Sequence, residues 1–253
     1  IPAMKNFVIT GTQRTGSAAV MRALRHHDLV ACGAEWPIAV SFTRRLDACR
    51  RGLDGDFSKL LLRHREEIAA QISTQTDWLG YRNLFRANDK WWLEPALGVS
   101  VLLDRFHATL EWWRRHAAIH IVHVTRTDNL AWLRSKYKAR ESGTFWAGTG
   151  YSQASVVVPI HNAVKRVRMK VWLDEQLAGL RNSNPYYLVR HEAFLADPDG
   201  TATGTQAFLG LSPQLIPAEQ VPQRQSAGVP IEHHIQNYDE LRRALERAGL
   251  LTG

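Results

Sequence analysis

Cysteine is nearly absent from this chain, with two in 253 residues. That is too few for a disulfide framework, and Cys32 and Cys49 show none of the CxxC or Cys/His spacing that holds zinc. They are read as free thiols in a reducing compartment, so the expected location is cytoplasmic. No apolar run approaches the ~18 residues of a membrane span. The first strand-like segment begins too early for a signal peptide, and Ile1-Pro2-Ala3 ahead of Met4 are read as a cloning remnant. Lysine is scarce as well, seven against 25 arginines, although the net charge is +8. Arginine carries a fixed fork of donors that suits phosphate or sulfate. The same surplus fits a merely solvated basic surface, so individual positions must decide.

No composition shift marks a linker, and one domain is expected over residues 1–253. Hydrophobic periodicity predicts strands at 7–10, 78–85, 119–124 and 186–190. Helices are predicted at 17–29, 58–72, 100–118, 129–141 and 161–182, the last with Val164, Val167, Val171, Leu177 and Leu180 inward and Lys165, Arg166, Arg168 and Lys170 outward. Residues 142–159 form the longest predicted loop, of a length usually reserved for lids or binding loops. Asn237 followed by Glu240 reads as a capping box for a last helix. Strands alternating with helices predict an α/β fold, a parallel central sheet flanked by helices.

The first strand runs into "GTQRTGSA" (11–18), a turn that leads directly into a helix. A helix N-terminus presents free N–H groups and the positive end of its dipole, which together bind anions. Gly16 would let a ligand approach the backbone, Thr15 and Ser17 offer hydroxyls, and Arg14 offers a charged fork. Gly11 and Gly16 have the spacing of GxxxxGK[ST], but Ser17 and Ala18 stand where the lysine and the Mg²⁺-binding hydroxyl belong. An ATP-dependent kinase is therefore disfavoured. An ordinary strand-to-helix turn is the bland reading of the same residues.

This segment, "TQRTGSAAVMRAL", resembles the 5′-phosphosulfate loop of the sulfotransferases that use 3′-phosphoadenosine 5′-phosphosulfate (PAPS). The likeness is to their bacterial branch, which includes trehalose 2-sulfotransferase and nodulation-type enzymes. "HIVHVTRTDNLAWLRSKYKARESGTFW" (120–146) is similar to the family's 3′-phosphate segment, which implies that Arg126 and Ser135 bind that phosphate. Ser135 stands nine residues after Arg126, where the cytosolic members have eight, and Arg134 occupies the eight-residue place. "YYLVRHEAFLADPDGTATGTQAFLGL" (186–211) resembles a structural segment of the family, and "RQSAGVPIEHHIQNYDELRRAL" (224–245) its C-terminal stretch, where Arg224 would help hold the cofactor. The resemblance implies a P-loop-like sulfotransferase fold with PAPS as co-substrate, PAP as product and no metal. Gln13, Arg14, Thr15, Gly16, Ser17 and Ala18 would form the 5′ loop.

Sulfuryl transfer builds negative charge on a departing oxygen and requires an acceptor proton to be removed. Arg14 is the candidate for the first task. Glu35, shortly after the first helix as in the bacterial branch, is the candidate base, with Glu94 in "WWLEPAL" as competitor. Trp36, Glu94, Phe145 and Trp146 are candidates for an acceptor pocket. The expected acceptor is a hydroxylated small molecule such as a saccharide, glycolipid or specialised metabolite. A small-molecule kinase, with Asp128 as its Mg²⁺ ligand, and a non-enzymatic anion-binding module remain alternatives. No nucleic-acid motif is present, and a homodimer is left open.

Overall fold

The computed structural model describes residues 5–35, 78–85, 109–142, 155–217 and 230–251. Their elements run β1 (Lys5–Thr12), α1 (Ser17–Arg25), β2 (Val30–Glu35), β3 (Trp78–Phe85), then a helix α2 whose described part is 109–115. They continue with β4 (His120–Thr125), α3 (Asn129–Ser142), α4 (Ile160–Ala178), β5 (Tyr186–Arg190), α5 (His191–Ala196), α6 (Pro198–Phe208) and α7 (Tyr238–Arg247). The strands form one sheet in the order β2-β3-β1-β4-β5, each neighbouring pair parallel.

Phe7, Val8 and Ile9 are wholly buried, as a strand covered on both faces requires, and β1 is accordingly central. Side-chain alternation sends Phe7 and Ile9 to one face, where they pack with Val20, Met21 and Leu24 of α1 and Ala202 of α6. Val8 goes to the other face, with Val167, Leu173 and Leu177 of α4 and Trp113 of α2. β1 leads away on one side toward β3 and β2, whereas β4 and β5 lie on the other. The carboxyl ends of β1 and β4 therefore flank the point where strand order reverses, the place at which open α/β sheets bind ligands.

Three expectations are corrected. The edge strand β2 was missed because "VACGAE" is short and carries Ala, Cys and Gly where strands favour branched residues. On α4, Arg166 and Lys170 are buried rather than outward. The Arg166 guanidinium lies over the Tyr137 ring, 5.1 Å from its centroid, and Lys170 Nζ donates to Asp174 Oδ2 at 3.1 Å. Burial of these cations is thus compensated, a pairing that apolar periodicity cannot reveal. Finally, Asn237 precedes α7, but its side chain makes no cap. Its Nδ2 donates to the Val158 carbonyl (2.9 Å) and its Oδ1 accepts the Val158 N–H (3.0 Å). With Val156 paired to Ile235, the end of the expected 142–159 loop is stitched into the core, where Val156 and Val158 are buried. The predicted helix at 58–72 lies outside the described residues.

Candidate functional site

The loop between β1 and α1 is built from a few local constraints. Thr15 is buried and its hydroxyl donates to the Thr12 carbonyl at 2.8 Å, closing the turn. The proton of that hydroxyl is held within the loop, so what Thr15 can offer an anion is its backbone N–H. Arg14 has φ 71°, a left-handed conformation that costs a non-glycine residue about 1–2 kcal/mol. Gly16 has φ 88° and precedes the first helical residue, Ser17. A Cβ at Gly16 would also collide with the imidazole of His191, so both backbone angle and space require glycine there.

Helix α3 fixes this loop from the side. The Trp132 indole N–H donates to the Gln13 carbonyl at 2.8 Å. One turn on, Ser135 Oγ accepts from Arg14 Nε at 3.0 Å. Residues three apart share a helical face, so a single face of α3 holds both the loop backbone and the arginine it carries. Arg14 and Ser135, expected on opposite phosphates, are therefore neighbours.

The second loop leaves β4 at Arg126. Its guanidinium is pulled below the ordinary arginine value by burial, and by Arg134 and Arg14 nearby, while Asp128 and Glu192 oppose the shift. It remains a cation, but one whose solvation is poor. Arg126 Nε is buried and has no hydrogen-bond partner among the described residues. The simpler role for Arg126, a surface ion pair with Asp128, is not what forms. Asp128 Oδ1 instead accepts the Ala131 N–H at 2.8 Å and caps α3. That carboxylate is the one the kinase alternative would use as its Mg²⁺ ligand.

Glu192, in the first turn of α5, accepts the N–H groups of Thr127 and Asp128, each at 3.1 Å. Burial raises its carboxyl pKa, but those backbone hydrogen bonds and His191 outweigh burial and hold it below the ordinary value. Behind the same edge lies a buried polar network. Asp174 Oδ2 accepts from Thr125 Oγ1 (2.6 Å) and from Lys170, and its Oδ1 lies 3.5 Å from His123 Nε2. His123 Nδ1 meets the Tyr186 hydroxyl at 2.6 Å. Burial pushes the Tyr186 phenol up to about 12, so it keeps its proton at neutral pH. For Asp174, burial works upward but nearby His123, Lys170 and the Thr125 hydroxyl prevail and lower it. The network pins the last residue of β4, one position before Arg126.

Glu35 closes β2 in register with Arg82 of β3, after an irregularity in the pairing that begins at Cys32. It stands on a strand end at the sheet's carboxyl edge rather than in a loop. Ser17 is buried at the start of α1, and Ala18 follows it in the first turn, where backbone N–H groups have no intrahelical acceptor. Trp36, Glu94, Phe145, Trp146 and Arg224 lie outside the described residues. The locks on the two loops, Trp132 and Glu192, were not foreseen. Trp132 stands three residues before Ser135, but only contact with the other loop distinguishes it from an ordinary core tryptophan.

What this edge presents is two strand-to-helix loops, one from each side of the switch point, each bearing an arginine. Arg126 feels the charges of both Arg14 and Arg134 there, and an anion would relieve that repulsion. Among the described residues no helix is long and apolar enough to cross a membrane.

No family model matches the chain, and no curated protein sequence matches it either. Solved structures do. A sulfotransferase from Alicyclobacillus acidocaldarius aligns over 97% of this chain and 94% of its own, with 12% sequence identity and a TM-score of 0.50. The sulfotransferase domain of the Synechococcus PCC 7002 olefin synthase aligns over 100% and 89%, also at 12% identity, with a TM-score of 0.45. At such identity the first likeness is one of architecture, extending over nearly the whole of both chains. The chain has the α/β, P-loop-like fold of that sulfotransferase.

Proposed function

We propose that the protein is a sulfotransferase that moves a sulfuryl group from PAPS to a hydroxyl of a small-molecule acceptor. The observation that carries this reading is the pairing of Arg14 and Arg126 on loops that flank the switch point, with a buried guanidinium nitrogen of Arg126 lacking a partner among the described residues. Two cationic loops, one on each side of the switch point, offer one site for each of the two phosphate-bearing ends of PAPS. The fold shared with a known sulfotransferase supports the same reading.

The donor supplies an activated SO₃ group and leaves as PAP. Backbone N–H groups at Gly16, Ser17 and Ala18, with the Gln13–Thr15 turn, would hold its 5′ end. Arg14 would face the charge that develops on the departing oxygen, and its hydrogen bond to Ser135 aims it beforehand. Arg126 would hold the 3′-phosphate with Ser135, and Arg134 and Arg224 would add charge. Glu35 is the proposed base for the acceptor hydroxyl, on the same sheet edge, and Glu94 is its competitor. Trp36, Phe145 and Trp146 belong to the proposed acceptor side. The reaction as written calls for no metal.

The test is incubation with PAPS and a set of hydroxylated saccharides, glycolipids and specialised metabolites, followed by mass spectrometry. A sulfated product formed in the presence of chelator supports the reading. Transfer of phosphate from ATP–Mg²⁺ in its place overturns it.

A further inference from the structure

We propose that Glu192 is a positioning residue for the 3′-phosphate half of this site, and that the first turn of α5 keeps the two anion loops in register. The inference rests on the reading of Arg126 as a 3′-phosphate ligand.

One carboxylate oxygen, Glu192 Oε1, accepts two consecutive backbone N–H groups, Thr127 and Asp128, at 3.1 Å each. These belong to the two peptide units that follow Arg126, so the bonds restrain the backbone on which its guanidinium is mounted. Thr127 and Asp128 are exposed and lie outside helix and strand; Asp128 is tied forward to α3 by its cap, and Glu192 holds the two N–H groups on the side of Arg126. The preceding residue, His191, lies directly against Gly16 of the first loop. Two successive residues of α5 therefore touch the two loops, and both are carried by the end of β5, which is paired with β4.

An acid beside an anion site opposes binding through its charge, and Glu192 is close enough to influence Arg126. If Glu192 acted through charge alone, its removal would strengthen binding of the 3′-phosphate. If it acts by holding the turn, its removal weakens binding. The two roles predict opposite signs, and an amide at this position separates them, because glutamine loses the charge but keeps an oxygen that accepts both N–H groups.

The experiment is calorimetric titration of the full chain with 3′,5′-adenosine bisphosphate and with 5′-AMP, for the parent, Glu192→Ala and Glu192→Gln. The dissociation constant of 5′-AMP divided by that of the bisphosphate reports the 3′-phosphate alone. In Glu192→Ala the ratio is expected to fall about tenfold or more, the scale of one hydrogen bond to a charged group, while 5′-AMP affinity holds. Glu192→Gln is expected to keep the parent's ratio. A merely structural loss would weaken both nucleotides alike, and that result overturns the proposal. So does an unchanged or increased ratio in Glu192→Ala, or an equal fall in Glu192→Gln. If Glu192→Ala does not fold, Glu192→Asp, which withdraws the carboxylate by one methylene, takes its place with the same expected direction. A parent protein that binds both nucleotides equally would refute the 3′-phosphate reading itself, a result distinct from failure at Glu192.

Discussion

Replacing Arg14 by glycine and by alanine separates what this residue costs the fold from what it does for the chemistry. At φ 71° the parent bears about 1–2 kcal/mol of left-handed strain. Alanine keeps that strain and loses the hydrogen bond to Ser135, so Arg14→Ala is expected to be less stable by about 0.5–1.5 kcal/mol. Glycine loses the same bond but relieves the strain, and gives back about 0.4–1 kcal/mol through the freedom of its unfolded chain. Arg14→Gly should therefore lie within about 1 kcal/mol of the parent and about 1 kcal/mol above Arg14→Ala. Both variants lose the donor proposed to face the departing oxygen, and turnover should fall about 10²–10³-fold in each. Urea unfolding followed by tryptophan fluorescence gives the stabilities, and product formation from PAPS gives the rates. An alanine variant as stable as the glycine variant would refute the left-handed backbone. Turnover retained in either would refute the role of Arg14 at the leaving group.

Gly16→Ala should cost more than a usual surface change, about 2–4 kcal/mol, since it combines a left-handed angle with overlap against His191; an unaltered urea midpoint would contradict that contact. Asp174 has a folded pKa below its ordinary value of 3.8, so its stabilising contribution is complete above that value and is lost as pH falls through the lower folded value. The parent's stability should thus decline with acid below about pH 4, and Asp174→Asn should show a flatter decline in equilibrium melts taken across that range. Glu35→Gln should flatten the acid limb of the pH–rate profile if Glu35 removes the acceptor proton, and an unchanged profile would transfer that role to Glu94.

The central part of the fold was legible because its signals are local. "FVIT" reads as a buried strand, "GTQRTGSA" as a turn into a helix, and "YYLVR" as a strand placed at its observed bounds. β2 was illegible because an edge strand of small residues carries no hydrophobic pattern. Arg166 and Lys170 misled for a different reason: helical periodicity treats a cation as outward, whereas Tyr137 and Asp174 make room for these two inside. At the site, Arg126 was placed at its strand end from the chain alone. What the sequence could not show was contact between a loop and a helix more than a hundred residues apart, Arg14 with Ser135 and Gln13 with Trp132. Glu192 was hidden in a segment whose pattern looks purely structural, because its work is done on backbone N–H groups that carry no sequence signature.

The most direct test of a two-phosphate site is thermal unfolding with 3′,5′-adenosine bisphosphate in the presence of chelator, beside the same melt with ATP–Mg²⁺. A ligand at a hundred times its Kd adds about 2.7 kcal/mol, which for a chain of this size raises Tm by about 5–10 °C. The account predicts that rise for the bisphosphate without metal. Stabilisation by ATP–Mg²⁺ with none by the bisphosphate would contradict it.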